Sequence, residues 1–470
     1  MLLESSPVSV VSGSIPRRRV AVIGGGLSGL SAAWYLRQRG ISSVVFEAGE
    51  SPGGVMNSVR EGEWLRETGP NTLFESSPAI RGFIDGIGLG DVRLTASVAA
   101  RRRYVVRAGK PVALPDSPRT FATTPLLSLG AKFNLLGEPF RARAPAESEE
   151  SVAEFVNRRL GPEFLDYIVN PFVAGVYAGD PAELSVRHAF PKLHALEQEF
   201  GSLTRGSLAR RNGSGGPRGS MVSFPDGLAE IPRALARALG SNLRLKHRVT
   251  RLVRTAGGWR VVFFRGGTQV EEDFTAVICA LPPEILAELR FEGVPDPTGL
   301  ALLRGIPQPP VASVFLGFRR EDVSHPLDGF GLLTPAVEKR RILGTLFSST
   351  LFPRRAPAGH VALTTFVGGT RQPELARADE GELVDSVREE LASLLGVGGR
   401  PVVAHVQRWN RSIPQYTVGF QRFQEACACF EGSAPGLFIG GTCRDGVSLA
   451  NCIAAGERLA GAAALHLTPR

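Results

Sequence analysis

Residues 20–47 read VAVIGGGLSGLSAAWYLRQRGISSVVFE. A short β-branched run, 20–23, meets a glycine turn and then a helical stretch, 30–39. Gly40 stands where a helix C-terminal glycine belongs. Residues 41–46 make the next strand, and Glu47 ends it. The unit is strand–helix–strand, the repeating piece of a doubly wound α/β sheet. Inside it, Gly24, Gly26 and Gly29 make the spacing G-x-G-x-x-G. Gly24 permits the tight turn, Gly26 lets a pyrophosphate approach the backbone, and Gly29 allows close helix–strand packing. The helix N-terminus offers unpaired N–H groups and a positive dipole end to phosphates. Glu47 can accept the ribose hydroxyls. The glycine spacing alone is a weak signal. The preceding strand, the following helix and the closing acid turn it into a dinucleotide site.

Just beyond Glu47 comes a second glycine pair, Gly53 and Gly54, which lets the backbone pass close to an extended cofactor. The stretch EAGESPGGVMNS resembles the E-a-x-x-x-x-G-G-x-x-x-s element of glutathione-reductase and amine-oxidase type flavoproteins, and so implies FAD rather than NAD. The C-terminal part agrees. Residues 437–439 read as a strand, Gly441 lies in a glycine turn, and Val447, Ser448 and Leu449 open a helix reaching about 465. A helix N-terminus directed at the flavin C2 carbonyl stabilises negative charge on the reduced ring.

Bulk properties bound the rest. The chain has 470 residues, 43% hydrophobic, which suits two or three domains rather than one. At 21% charged, it is too apolar to be disordered. The net charge of +9 favours anionic partners: carboxylate substrates, acidic lipid surfaces or nucleic acid. Zinc-finger, basic-region and RNA-binding signatures are absent, so no nucleic acid and no metal is expected. Cys279, Cys427, Cys429, Cys443 and Cys452 are odd in number and lack C-x-x-C spacing, which points to free thiols in a reducing compartment. Near the N-terminus a basic cluster, Arg17 to Arg19, follows the mildly apolar stretch 1–15; a signal peptide has the reverse order. No apolar stretch is long enough to cross a membrane, so any membrane contact is expected to be monotopic.

Amphipathic helices are expected at 151–160 and 163–169, in a region broken by Pro115, Pro118, Pro125, Pro139 and Pro162. The Gly/Ser/Arg-rich stretch 204–220 reads as a surface loop. A short helix follows at 231–239, strands at 243–252, 259–264, 274–280, 311–318 and 361–367, and a helix at 382–395.

Several blocks resemble protoporphyrinogen oxidases, most closely the plant-mitochondrial and myxobacterial forms. They are ETGPNTLFES (67–76), NPFVAGVYAGDPAELSVRHAFPKL (170–193), HPLDGFGLLTP (325–335), LGTLFSSTLFP (343–353), TTFVGG (364–369) and IPQYTVGF (413–420). The closing GGTCRDGVSLANCI resembles the family's G-N-x-x-x-G-V-x-x-x-x-C element, with Thr442 where Asn is usual. The blocks span nearly the whole chain in order. The resemblance implies six-electron oxidation of protoporphyrinogen IX, with hydride leaving a methylene bridge for flavin N5 and O2 as acceptor. It implies Asn71 and Gly175 at the reacting face, Val249 and Trp409 among the cofactor contacts, and Val311, Leu327 and Phe347 against the macrocycle. In the run Arg101-Arg102-Arg103-Tyr104, Arg103 matches the family's arginine that pairs with a propionate, a task suited to a planar fork.

The implied fold is α/β, α+β overall. A Rossmann-type FAD-binding domain (17–92, 240–295 and 405–470) joins a mixed-sheet substrate domain (205–239 and 296–404) and a helical membrane-associated domain (93–204), in the p-hydroxybenzoate hydroxylase and amine-oxidase manner. The stretch 121–136 is expected to be an interfacial helix on an anionic membrane surface, on the cytoplasmic side. A homodimer and hand-off to ferrochelatase complete the expected partners. The competing readings are coproporphyrinogen III oxidation, an amine or polyamine oxidase, a carotenoid desaturase and a non-catalytic carrier on the same scaffold. The closing loop has no aromatic residue to cage an amine, which argues against the amine oxidase.

Overall fold

The computed structural model describes residues 9–10, 19–145, 147–213 and 219–468. At its centre is an all-parallel sheet of five strands in the order Leu243–Arg244, Ser42–Phe46, Arg19–Ile23, Ala276–Cys279 and Leu437–Ile439. Both faces are covered, so the last four residues of Arg19–Ile23 and of Ser42–Phe46 are buried, and the strands read as continuous apolar runs. Strand order reverses beside Arg19–Ile23, and a ligand crevice opens at the carboxyl end of such a strand. The helix Leu27–Gln38 leaves that end and stops at Arg39, followed by Gly40 at φ 69°. The last helix, Leu449–Leu467, crosses it closely: a Cβ on Gly456 would lie 2.5 Å from Ser31 Cβ and 2.8 Å from Ala32 N.

An antiparallel layer (Arg248–Thr255, Gly258–Arg265 and Thr268–Phe274) lies beside the parallel sheet, with Arg290–Glu292 and Ser9–Val10 at its edges. A second body is a seven-stranded mixed sheet in the order Val403–Trp409, Val311–Arg319, His360–Gly368, Gly344–Leu346, Gly329–Leu333, Arg102–Arg107 and Lys110–Ala113. The helix Glu380–Leu395 covers it, placing Leu383, Val387, Leu391 and Leu394 against Val314, Leu316, Phe318 and Leu363.

The remaining helices include Leu129–Leu136, Val152–Arg159, Asn170–Tyr177, Pro191–Phe200 and Leu203–Gly213. Their centre is ionic. Glu138 accepts from Ser202 Oγ at 2.6 Å, Leu203 N at 2.9 Å and Thr204 N at 3.1 Å, and pairs with Arg159. Both side chains are fully buried. Burial pushes the Glu138 carboxyl up, but the four N–H and O–H donations from Ser202, Thr204 and Leu203 outweigh it and hold the group at about 2. Glu138 thereby caps the first turn of Leu203–Gly213.

Several expectations are corrected. The strand expected over 243–252 is two strands in different sheets, separated by Lys246 at φ 60°. The helix expected at 163–169 is one α-turn, Pro162–Phe164, followed by a π-helix, Leu165–Val169. The loop expected from 204 is helical as far as Gly213, while 214–218 lie outside the described residues, as do Arg17, Arg18 and most of 1–15. The helix expected over 121–136 is two, Pro118–Thr123 and Leu129–Leu136. Pro125 disfavours helical backbone at Thr124, which sits at ψ 135°. Residues 102–113 are strands of the seven-stranded sheet, not part of a helical portion, and Val403–Trp409 joins the same sheet. The helix Glu230–Leu239 packs on Leu27–Gln38, not on the substrate sheet.

Glu138→Ala removes the nearer carboxylate from buried Arg159, leaving it Glu197 at 3.5 Å and the carbonyls of Arg141 and Gly201, and should cost about 3 kcal/mol. Urea unfolding measures it; a loss below about 1 kcal/mol would show the pair to be incidental.

Candidate active site

The glycine loop is built by exclusion. Gly24 sits at φ 106°, donates its N–H to Phe46 O at 2.9 Å, and would drive a Cβ to 2.5 Å from Ala280 O. A Cβ on Gly29 would collide with Gly24 O. Gly53 N donates to Gly25 O at 2.8 Å, at φ 113°, and a Cβ there would meet Met56 O at 2.7 Å. A Cβ on Gly54 would touch Gly26 Cα at 3.4 Å. Gly26 is different, since a Cβ there would meet nothing within 4 Å. The open face of the loop is therefore at Gly26, the N-cap of a helix that has no side-chain cap, and its first-turn N–H groups are left for an anion.

Glu47 Oε2 accepts from Gly25 N at 2.7 Å and Oε1 from Gly49 N at 2.6 Å. The acid shapes the loop as well as facing it. Val249 follows His247, whose N–H donates to Glu47 O at 2.8 Å, and is half-buried against the core. Trp409 Nε1 donates to Thr68 O at 2.9 Å, which pins the segment carrying Asn71. Gly441, at φ 103°, would place a Cβ 3.6 Å from Ser28 Oγ, so the closing turn abuts the first helix. Ser448 caps Leu449–Leu467, accepting from Asn451 N at 3.1 Å, with Val447 and Leu449 half-buried beside it.

Asn71 Nδ2 donates to Gly69 O at 3.0 Å and lines a small cavity with Glu67, Ser348, Arg355 and Thr364. Gly175 lies where Asn170–Tyr177 crosses Gly329–Leu333; a Cβ would meet Leu333 Cδ2 at 2.6 Å. Val311 packs with Ala174 of that helix and with Ala178, its C-cap. Leu327 and Phe347 are buried in the core of the seven-stranded sheet with Tyr104, and Leu327 holds φ 55°. The structure brings these two to Tyr104 and leaves them no open side.

Arg102 and Arg103 differ in their partners. Arg102 pairs with Asp328, and Tyr104 Oη donates to Asp328 Oδ1 at 2.6 Å. The Tyr104 hydroxyl and Arg102 hold the Asp328 carboxyl below the usual range. Arg103 is exposed, its guanidinium 5.4 Å from the Phe330 ring.

The family described as flavin containing amine oxidoreductase matches residues 27–464. Protoporphyrinogen oxidase 2 of Arabidopsis thaliana is 35% identical over 96% of this chain and 94% of its own. The chain belongs to the protoporphyrinogen oxidase family of flavin-containing oxidoreductases. Coproporphyrinogen III oxidase of Staphylococcus aureus is 28% identical over 94% of this chain and 97% of its own. A crystal structure from Exiguobacterium sp. 255-15 shares the fold, with TM-score 0.80, 24% identity, and coverage of 97% of this chain and 100% of its own. The enzymes of this family are FAD-dependent, and the open face at Gly26, between the Gly24–Gly29 loop and the Gly53–Gly54 pair, fits that cofactor.

Residue-by-residue reading of the sequence missed Glu67 and Arg355. Glu67 is buried, pairs with Ser58 Oγ, accepts from Leu228 N at 3.0 Å and lies 3.7 Å from Arg355, which donates to Ser223 Oγ at 2.7 Å. The cluster ties the cofactor body to the substrate sheet beside Asn71. Its only signal was that Glu67 opens the ETGPNTLFES block. Burial pushes Glu67 from 4.5 up to about 7, against the lowering pull of Ser58 and Arg355.

That shift has a definite sign. The folded state holds the proton more tightly than the unfolded one. Stability should therefore fall as pH rises from 4.5 to about 7 and level off above. Glu67→Gln cannot ionise, so wild type should lose thermal stability relative to it across that window. Parallel curves for the two proteins would overturn the assignment.

Proposed function

We propose that the chain oxidises protoporphyrinogen IX to protoporphyrin IX, taking six electrons in three two-electron steps and giving three H2O2 from three O2. When bound, FAD supplies the two-electron acceptor. The chain's own residues bind, orient and exclude water. The observation that carries this reading is the sorting of the arginines: Asp328 occupies Arg102, while Arg103 is exposed beside an aromatic ring with no acid partner among the described residues. A planar guanidinium so placed suits a propionate. Val311, packed with Ala174 and Ala178, suits an apolar macrocycle, and Asn71, which lines the small cavity beside Glu67 and Arg355, is the residue proposed for the reacting face.

Coproporphyrinogen III is the second reading, favoured by the likeness to a relative of that name. Anaerobic flavin reduction by each porphyrinogen decides between them; reduction by neither sinks the proposal.

The same reading gives the chain a peripheral place on the cytoplasmic side of an anionic membrane. Among the described residues no helix is long and apolar enough to cross one. Leu129, Phe133 and Leu136 recur on one face of Leu129–Leu136 and are 70, 70 and 69% exposed, and Phe140, in the short 3-10 turn that follows, is 84% exposed. The division into FAD-binding, substrate and membrane-binding portions, a homodimer, and hand-off of product to ferrochelatase belong to the same proposal.

Removing Arg103 should weaken binding more than chemistry, because the propionate is remote from the oxidised methylene bridge. Arg103→Ala should raise KM severalfold with a smaller change in kcat, and Arg103→Lys should recover part of it. Steady-state kinetics with the acid and its dimethyl ester test this. Equal losses on both would mean no propionate pair exists.

Phe133→Ser with Phe140→Ser should abolish sedimentation with anionic vesicles while leaving turnover of detergent-dispersed substrate intact. Unchanged vesicle binding would show that another surface is used.

A further inference from the structure

We propose that Tyr416 is a positioning residue for the flavin, its hydroxyl fixing the turn that carries the second helix N-terminus to the cofactor. Tyr416 Oη donates to Thr442 O at 2.8 Å and accepts from Gly446 N at 2.8 Å. One hydroxyl thus closes both ends of the segment 442–446. Within it, Gly441 N donates to Asp445 Oδ2 at 2.8 Å, and Asp445 N donates back to Gly441 O at 2.8 Å. Gly446 holds φ 114° and leads directly into Val447 and Ser448. The turn has little regular structure of its own, so its shape depends on what grips it.

The grip is itself anchored. The Tyr416 ring is 3% exposed and stacks on Phe420 with centroids 4.1 Å apart. Tyr416 O accepts from Ser185 N at 2.8 Å. The neighbouring Gln415 Nε2 donates to Tyr177 O and to Ile413 O, both at 2.8 Å. Tyr177 ends the helix that carries Gly175. Residues 413–420 therefore form a strut from the proposed reacting face to the cofactor turn. Packing alone would be served as well by phenylalanine, so the hydroxyl is there for the turn. Burial pushes it well above the usual tyrosine range, and it stays a protonated donor throughout the working pH range.

This inference rests on the flavin assignment, and the experiment separates the two. Tyr416→Phe keeps the ring and its stack but leaves Thr442 O and Gly446 N unpaired in a buried place. The dissociation constant of FAD from the apoprotein, followed by flavin fluorescence, should rise about tenfold. The flavin midpoint potential should move negative, because a displaced helix N-terminus stabilises the reduced ring less. Phe420→Leu loosens the same packing and spares the hydroxyl; it should lower the unfolding temperature with an unchanged potential. If wild type fails to bind FAD, the flavin assignment falls. If wild type binds and Tyr416→Phe matches it in affinity and potential, or if both variants shift the potential equally, the positioning role falls.

Discussion

Gly456 lies so close to the first helix that a single added carbon would sit 2.5 Å from Ser31 Cβ. That contact joins the opening and closing parts of the chain. Because the two helices cross there, the glycine loop at Gly24 to Gly29 and the turn at Gly441 to Gly446 abut, and Gly441 faces Ser28. An extended cofactor needs both. The small residues of Leu27–Gln38, with Ser28, Gly29, Ser31, Ala32 and Ala33 all buried, are the condition for the crossing.

Two buried carboxylates show how the environment divides identical side chains. Glu138 and Glu67 are both shielded from water and both near an arginine. Glu138 receives the backbone N–H groups of Leu203 and Thr204 and the hydroxyls of Ser202 and Thr204, and its carboxyl is held at about 2. Glu67 receives one backbone N–H and one hydroxyl, its arginine stands off at 3.7 Å, and its carboxyl rises to about 7. Burial pushes both carboxyls up; around Glu138 the donors together outweigh it, and around Glu67 burial prevails.

What was legible in the sequence was what is local. Gly24, Gly26, Gly29 and Glu47 interact within one strand–helix–strand unit, so their spacing carried the site. The break at Thr124 was written in Pro125 but was overridden by the apolar pattern of 121–136, and the turn at Lys246 had no glycine to announce it. The run of three arginines was legible as a basic patch; that Arg102 is taken by an acid was not, since Asp328 reaches it from a distant strand edge. Leu327 and Phe347 matched family positions yet pack inside the sheet, because apolar residues at strand ends fall to the core unless something displaces them. Glu67 and Arg355 meet only after the two bodies dock, and no window of sequence contains both.

The parallel sheet draws its strands from the start, the middle and the end of the chain. Ala276–Cys279 keeps one edge unpaired until Leu437–Ile439 reaches it. During synthesis, then, every strand of the seven-stranded sheet is made before the central one can close, and the Ala276–Cys279 edge waits for roughly the last third of the chain. Pairing between strands so far apart in sequence is slow to form.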